Sequence, residues 1–202
     1  DGRWQWALNL FANYMEDFIY QQSVDANGDG IADRLDEEGL PVAPGDGFLL
    51  LQYSQAHAVF YGAEAQVGYG LLRDAEWGEL DARLFTDYVR GRLTDGDNLP
   101  RITPWRFGGG LDYRWQAWQA NFDLRRSAAQ GQRALLETST DGYTLVDLGV
   151  SYTLKSAQVE YVVCARGTNL LDEEVRYHTS LLKAVAPQPG RSAILSVQVR
   201  FD

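Results

Sequence analysis

The chain has 202 residues, a net charge of −10, 45% hydrophobic residues and a mean hydropathy of −0.32. That acidity argues against a nucleic-acid partner, and no run of about 18 apolar residues offers a transmembrane helix. Neither fact excludes a membrane β-barrel, because strict alternation halves the average hydropathy of each strand.

The first element, about residues 3–20, alternates Trp4, Trp6, Leu8, Leu10, Ala12 and Tyr14 with Gln5, Ala7, Asn9, Phe11 and Asn13. Period two means a strand with two different faces. Residues 21–47 are rich in Asp and Gly, lack periodicity and read as a long loop. Asp25, Asp29, Asp33, Asp36, Glu37, Glu38 and Asp46 against Arg34 put more than half of the net charge there. Residues 48–71 return as a long strand or a bent pair, with Val59, Tyr61, Ala63, Ala65, Val67 and Tyr69 on one side. A short turn at Arg73–Glu76 leads to a strand over 77–91, with Leu80, Ala82, Leu84 and Tyr88 opposite Glu79, Asp81, Arg83 and Asp87.

After a loop over 92–104 comes a strand over 105–115, then one over 118–126, then a loop over 127–141. The last third repeats the pattern three times. Thr144, Val146, Leu148, Val150, Tyr152 and Leu154 form one stripe. Val159, Tyr161, Val163 and Ala165 form the next, and Ala193, Leu195, Val197, Val199 and Phe201 the last. A short turn at Lys155–Ala157 and a loop at about 172–191 separate them.

The count is eight strands, and the connections alternate long and short from first to last. A transmembrane meander puts short turns at one end and long loops at the other. Trp and Tyr recur near stripe ends, as at membrane interfaces. The fold class expected is therefore all-β, an antiparallel transmembrane β-barrel meander of eight strands spanning residues 1–202. The rival is a soluble lipid-binding sandwich or barrel with the apolar stripe turned inward.

The sharpest local motif runs from Asp25 to Asp36. Asp25, Asn27, Asp29, Asp33 and Asp36 stand at positions 1, 3, 5, 9 and 12, with Ile31 offering its carbonyl at position 7 and Gly30 at position 6. That spacing converges oxygen ligands on a Ca2+ ion. No helices flank it, so it reads as a structural calcium loop of the thrombospondin or dockerin type; the bland alternative is an acidic loop of Asx-turns. His178, close to Glu173 and Glu174, is a candidate for contact with a metal or metal complex. His57 joins it only if the fold brings the two together. The lone Cys164 reads as packing, and Gly108–Gly110 as a strand segment allowing bending or close approach. Arg83 with Asp81, Arg125 with Asp123, and Arg106 and Arg114 with Asp112 read as a charge network on the polar face. No nucleophile with a matched base appears, so an enzyme is not expected.

Several segments resemble TonB-dependent outer-membrane receptors: Gly142–Asp147, Arg166–Glu174 with its Asn169-Leu170-Leu171-Asp172 element, His178–Arg191, Tyr61-Gly62-Ala63-Glu64 and Leu99–Arg106. The stretch His178–Arg191 looks most like the zinc- and haem-associated branch. The resemblance implies the C-terminal part of a 22-stranded barrel with the plug domain absent. It also implies uptake of zinc, haem or an iron–siderophore. The partners it implies are outer-membrane lipid and lipopolysaccharide, the TonB complex acting through a plug, and the barrel-assembly machinery acting on the last strand. Such barrels end on an aromatic; here Asp202 follows Phe201. The alternative is a small eight-stranded outer-membrane barrel with a structural or adhesive role.

Overall fold

The computed structural model describes residues 3–201; Asp202, and with it the departure from an aromatic end, lies outside them. Ten strands form: β1 (Trp4–Ser23), β2 (Arg34–Leu35), β3 (Phe48–Leu49), β4 (Leu51–Asp74), β5 (Gly78–Leu93), β6 (Arg106–Trp115), β7 (Trp118–Ser127), β8 (Tyr143–Lys155), β9 (Val159–Thr168) and β10 (Ser192–Phe201). Eight of them make one antiparallel meander in the order β1-β4-β5-β6-β7-β8-β9-β10. The two-residue strands β2 and β3 pair with each other inside the first long loop.

The sheet is open. Among the described residues β1 hydrogen-bonds only to β4 and β10 only to β9. The eight strands therefore do not close on themselves as a small independent barrel would.

Register carries one apolar stripe across the sheet. Leu8 faces Ala65, which faces Thr86 and then Phe107. Further along, Phe122 faces Leu148, and Val150 faces Ala165, which faces Leu195. This face is uncovered: Trp6 is 77% exposed and Leu84 65%. The accessible surface is 13268 Å², against about 9,500 Å² for a compact protein of this mass. A soluble sandwich would bury that stripe between two layers, and here there is one layer. Trp4 and Tyr14 bracket the stripe on β1. Ten residues of strand make about 33 Å, which at a 35–45° tilt spans the apolar band of about 25 Å in outer-membrane barrels. The Trp4 and Tyr69 rings meet tilted with centroids 4.4 Å apart, and those of Trp118 and Tyr152 at 4.6 Å, both close to the short turns.

Two bulges re-aim strands. The register shifts between Met15 and Phe18, where Asp17 has φ 53° and donates its N–H to His57 Nδ1. Beyond that point Phe18 and Tyr20 turn to the polar face. There Phe18, Ala58, Phe60, Leu93, Leu99 and Ile102 make the one buried hydrophobic cluster among the described residues. A second shift lies between Gly70 and Leu72.

The glycines of the polar face serve close approach. A Cβ on Gly108 would lie 2.2 Å from the Leu124 carbonyl oxygen, and one on Gly62 would strike the Phe11 ring at 2.6 Å. Phe11 covers Gly62, and Phe85 covers Gly108, each from the directly opposed position.

Candidate functional site

Four long connections, residues 24–50, 94–105, 128–142 and 169–191, emerge at one end of the sheet. The other end has only 75–77, 116–117 and 156–158. β1 and β10 are at opposite edges, yet the loop after β1 and the loop before β10 wall the same cavity. It holds about 720 Å³ and takes its lining from residues 22–51, 100–101, 133–138 and 180–184. That size suits a small organic ligand. All four loops therefore lean over one side of the sheet and meet.

Three of the loops have specific anchors. Leu99 and Ile102 pack against Gly91, where a Cβ would lie 2.7 Å from Ile102 Cδ1. This folds residues 94–105 onto the polar face. Asn98 Nδ2 donates to the Arg133 carbonyl at 3.1 Å, and Gln130 Nε2 to the Ile102 carbonyl at 3.0 Å, tying this loop to the next. Asn169, at φ 48° and buried, turns the chain out of β9. Its N–H donates to Asp147 (2.9 Å), its Nδ2 donates to the Glu173 carbonyl (2.9 Å), and its Oδ1 accepts the Glu173 N–H (3.0 Å). Asp172 then accepts the Arg191 N–H at 2.9 Å, closing the base of the loop.

The two C-terminal loops meet at a buried polar junction. His178 Nδ1 lies 3.1 Å from Thr140 Oγ1, and its Nε2 lies 3.2 Å from Glu137 Oε1. Lys183 Nζ is 2.8 Å from the same Glu137 oxygen. Arg101 on a third loop adds its backbone N–H to that oxygen at 2.9 Å. Burial raises the Glu137 carboxyl, but hydrogen bonds from His178, Lys183 and the Ala134 N–H outweigh it and hold the group at about 2. Burial lowers Lys183, and its bond to Glu137 only partly opposes this. The asymmetry has a plain cause: the carboxylate gathers several donors, while the ammonium has one carboxylate and the Arg101 charge nearby.

The residues singled out from sequence take several places. His178 is in this junction, with its nitrogens engaged. Glu173 is held through its backbone by Asn169, and Glu174 is exposed and paired with Arg176 at 2.6 Å. His57 sits at the β1 bulge, 6.1 Å from the Tyr14 ring, with partners different from those of His178. In the calcium-type loop, Asp25 accepts N–H groups from Gly28 (2.7 Å), Asp29 (3.2 Å) and Gly30 (2.8 Å). Asp29 accepts from Ile31, Asn27 bonds Asp29, and Asp33 accepts from Ala26. Asp36 is turned to Glu38 and Leu40. Among the described residues, no three His, Cys, Asp or Glu side chains gather around one point suited to a metal. Glu137 and Thr140 carry no sequence motif, and Arg101 and Lys183 lie in segments singled out without a role for either; only the meeting of the loops brings these residues together.

The charge network on the polar face exists with different partners. Arg83 pairs with Asp112 and Asp123 rather than Asp81, and Asp81 pairs with Arg73 and Arg114. Arg106 pairs with Asp87 and Arg125 with Asp147. Residues two apart on a strand stand nearly 7 Å apart, whereas opposed residues on neighbouring strands approach to about 5 Å. Arg83 reaches Asp123 over Gly110, whose missing side chain leaves room.

A family model described as "TonB dependent receptor-like, beta-barrel" matches residues 1–170. The chain belongs to the TonB-dependent receptor family. A solved structure titled "Copper transporter OprC" superposes on the whole chain with a TM-score of 0.71 at 20% identity. The siderophore receptor PirA from Acinetobacter baumannii also superposes on the whole chain, with a TM-score of 0.62 at 17% identity. The chain spans 29% of the first protein and 30% of the second. TonB-dependent receptor barrels are bacterial outer-membrane proteins and act as transporters rather than enzymes, and the open sheet is that of a part of such a barrel. The stretch from His178 to Arg191 lies beyond the matched residues.

Proposed function

We propose that this chain forms part of the wall and outer mouth of a receptor that takes a metal or metal complex across the outer membrane. The observation that carries the reading is the convergence of four long loops on one cavity in a TonB-dependent receptor sheet. Two proteins of this fold, a copper transporter and a siderophore receptor by title, support metal or metal-complex uptake as the class. Zinc, haem and iron–siderophore all fall within it. On this reading residues 24–50 and the other long loops face the outside, and the apolar stripe faces lipid and lipopolysaccharide. TonB acts through a plug domain of the whole receptor, and the assembly machinery engages β10. Glu174 and the rim of the 169–191 loop are then open to arriving ligand, while His178 holds the loops from within. The test is uptake of radiolabelled metal complexes by cells carrying the full-length receptor, with TonB intact or deleted. Saturable uptake lost with TonB supports the reading; uptake indifferent to TonB sinks it.

Residues 25–36 support a second, structural ligand, Ca2+. The donor types fit: Asp25, Asn27, Asp29, Asp33 and Asp36 with the Ile31 carbonyl, and Gly28 and Gly30 adopt φ 74° and 83° to make the tight turn. Asp36 must leave Glu38 and Leu40 to complete the set, so binding is weak and orders the loop rather than the barrel. Calorimetry of the full-length receptor should show calcium heat that vanishes in Asp25→Asn; no heat at millimolar calcium overturns it.

A further inference from the structure

The outward, apolar face of the sheet has an uneven charge. From β5 to β10 every strand carboxylate, from Glu79 to Glu160, stands on the polar face. Among the described residues the apolar stripe of these six strands holds three charges, Arg90, Arg92 and Arg126. All three are cations, in a chain of net charge −10. Arg90 and Arg92 take the last two outward positions of β5, and Arg126 the last of β7, each beside a long loop. At the short turns the same two strands start their stripes on the uncharged Leu80 and Trp118. Gly91 and Leu93 face Phe60 and the buried cluster of the polar side, so Arg90 and Arg92 face the other way. Arg126 opposes Phe107 and Thr144 of the stripe.

These guanidiniums are held in place without being neutralised. Arg90 Nη2 donates to Asn98 Oδ1 at 3.0 Å, Arg92 Nη2 to the Gly96 carbonyl at 3.1 Å, and Arg126 Nη1 to Thr144 Oγ1 at 3.0 Å. Among the described residues none of the three has a carboxylate partner. On the polar face, by contrast, Arg83, Arg106 and Arg114 are all paired. Tyr88, Trp105 and Phe107 are exposed on the surface between β5 and β7, with the Trp105 and Phe107 rings 4.9 Å apart. Cations above an aromatic and aliphatic band match the boundary between headgroups and hydrocarbon. A lipid-facing cation costs little at that depth and gains where the headgroup is anionic. Arginine does so best on phosphate, whose oxygens accept its paired N–H groups.

The spacing says how many phosphates. Arg90 and Arg92 stand about 7 Å apart on one strand, so a single phosphate can take donors from both. Thr86, Phe107 and Arg126 are opposed in register. Arg126 is therefore two strands across and four residues back from Arg90, about 16 Å away. One phosphate cannot serve both places; two on one headgroup can.

We infer that Arg90, Arg92 and Arg126 form a binding site for a lipopolysaccharide headgroup bearing two phosphates, whose acyl chains lie along the stripe below. The inference rests on the reading that the stripe faces lipid with the long loops outside, and it gives that contact its residues and its ligand.

The test measures binding of the delipidated full-length receptor to the lipid anchor of lipopolysaccharide, with two phosphates, with one, and stripped of both. The bisphosphorylated anchor should bind at least about tenfold tighter than the stripped one, with the monophosphate between. The triple variant Arg90→Gln/Arg92→Gln/Arg126→Gln should lose about tenfold or more for the bisphosphorylated anchor and less than about twofold for the stripped anchor. Lys155→Gln/Arg166→Gln/Arg200→Gln removes the same charge from the polar face and should change neither by more than about twofold. Equal affinity for the three anchors, or equal losses in the two triple variants, overturns the site. Competition by millimolar inorganic phosphate would make it a free-phosphate site and overturn the lipid assignment. If the outward triple variant does not assemble, Arg92→Gln alone decides: this exposed residue should cost about threefold, and unchanged affinity overturns the site. Labelling of the loops on intact cells, measured separately, decides the orientation; long loops outside together with equal affinities removes the lipid site alone.

Discussion

His178 Nε2 and Lys183 Nζ converge on one carboxylate oxygen of Glu137, at 3.2 and 2.8 Å, and so join two loops that leave different hairpins of the sheet. The Glu137 and His178 side chains are 8% and 1% exposed. The junction is a closed polar core between the loops.

Its pH dependence has a definite sign. The folded Glu137 carboxyl sits at about 2 against an ordinary 4.5, so the depressed group stabilises the folded loops fully above about pH 4.5. That stabilisation, about 3 kcal/mol, is lost as pH falls through 4.5 toward 2. Hydrogen exchange, corrected for intrinsic rates, should show residues 128–142 and 169–191 losing protection together over that window. Strand amides of β6 and β7 should keep theirs. Protection unchanged down to pH 2.5 would refute the assignment.

Glu137→Gln leaves Lys183 buried without a counter-charge, and breaking one partner of such a pair costs about 3 kcal/mol or more. The variant should open both loops at neutral pH and abolish the acid transition. Limited proteolysis at neutral pH is the check: new cleavage in both loops is expected, and cleavage in one alone would mean that the loops are held independently.

From a buried position the Asn169 side chain makes two hydrogen bonds to the Glu173 backbone and a longer one, at 3.5 Å, to the Pro189 carbonyl. Asn169→Ala strands the Glu173 N–H and C=O and should cost about 1–3 kcal/mol. Asn169→Asp keeps the acceptor for the Glu173 N–H but turns a buried carboxylate oxygen toward the Glu173 carbonyl, so it should cost at least as much as Ala. Thermal unfolding in detergent gives the order; Asp as stable as the wild type would contradict the geometry.

On the polar face, substitutions should rank by what they strike. Gly108→Ala meets a backbone carbonyl at 2.2 Å, while Gly110→Ala meets the movable Arg83 guanidinium at 2.8 Å and the Phe122 carbonyl at 2.9 Å. Asp123→Asn only weakens a part-exposed ion pair, worth under about 1 kcal/mol. The loss of stability should follow that order, and an Asp123→Asn defect larger than that of Gly108→Ala would make the ion network, not backbone approach, the stabilising element.

The sheet was legible because alternation is a local signal. The stripe of Leu148, Val150 and Tyr152 predicts its own strand, and the long–short rhythm of connections predicts the meander. Boundaries moved at the outer ends: β1 reaches Ser23, because the bulge at Glu16–Asp17 restarts the alternation out of phase. The ion pairs were misassigned because spacing along one strand says nothing about register, and Arg83 finds Asp112 and Asp123 on other strands. The loop junction was half legible. His178 stood out as one of two histidines, but Glu137 and Lys183 are ordinary residues until residues 128–142 and 169–191 are brought together.

The account turns on this sheet crossing the outer membrane with its four long loops outside. In the full-length receptor with Cys164 replaced by Ser, single cysteines at Ala43, Gly131, Ala117 and Ala157 can be probed on intact cells with a membrane-impermeant maleimide. Labelling at Ala43 and Gly131, with Ala117 and Ala157 reactive only after the cells are broken, is the predicted result. Labelling of the two short turns on intact cells, or of all four sites alike, would contradict it.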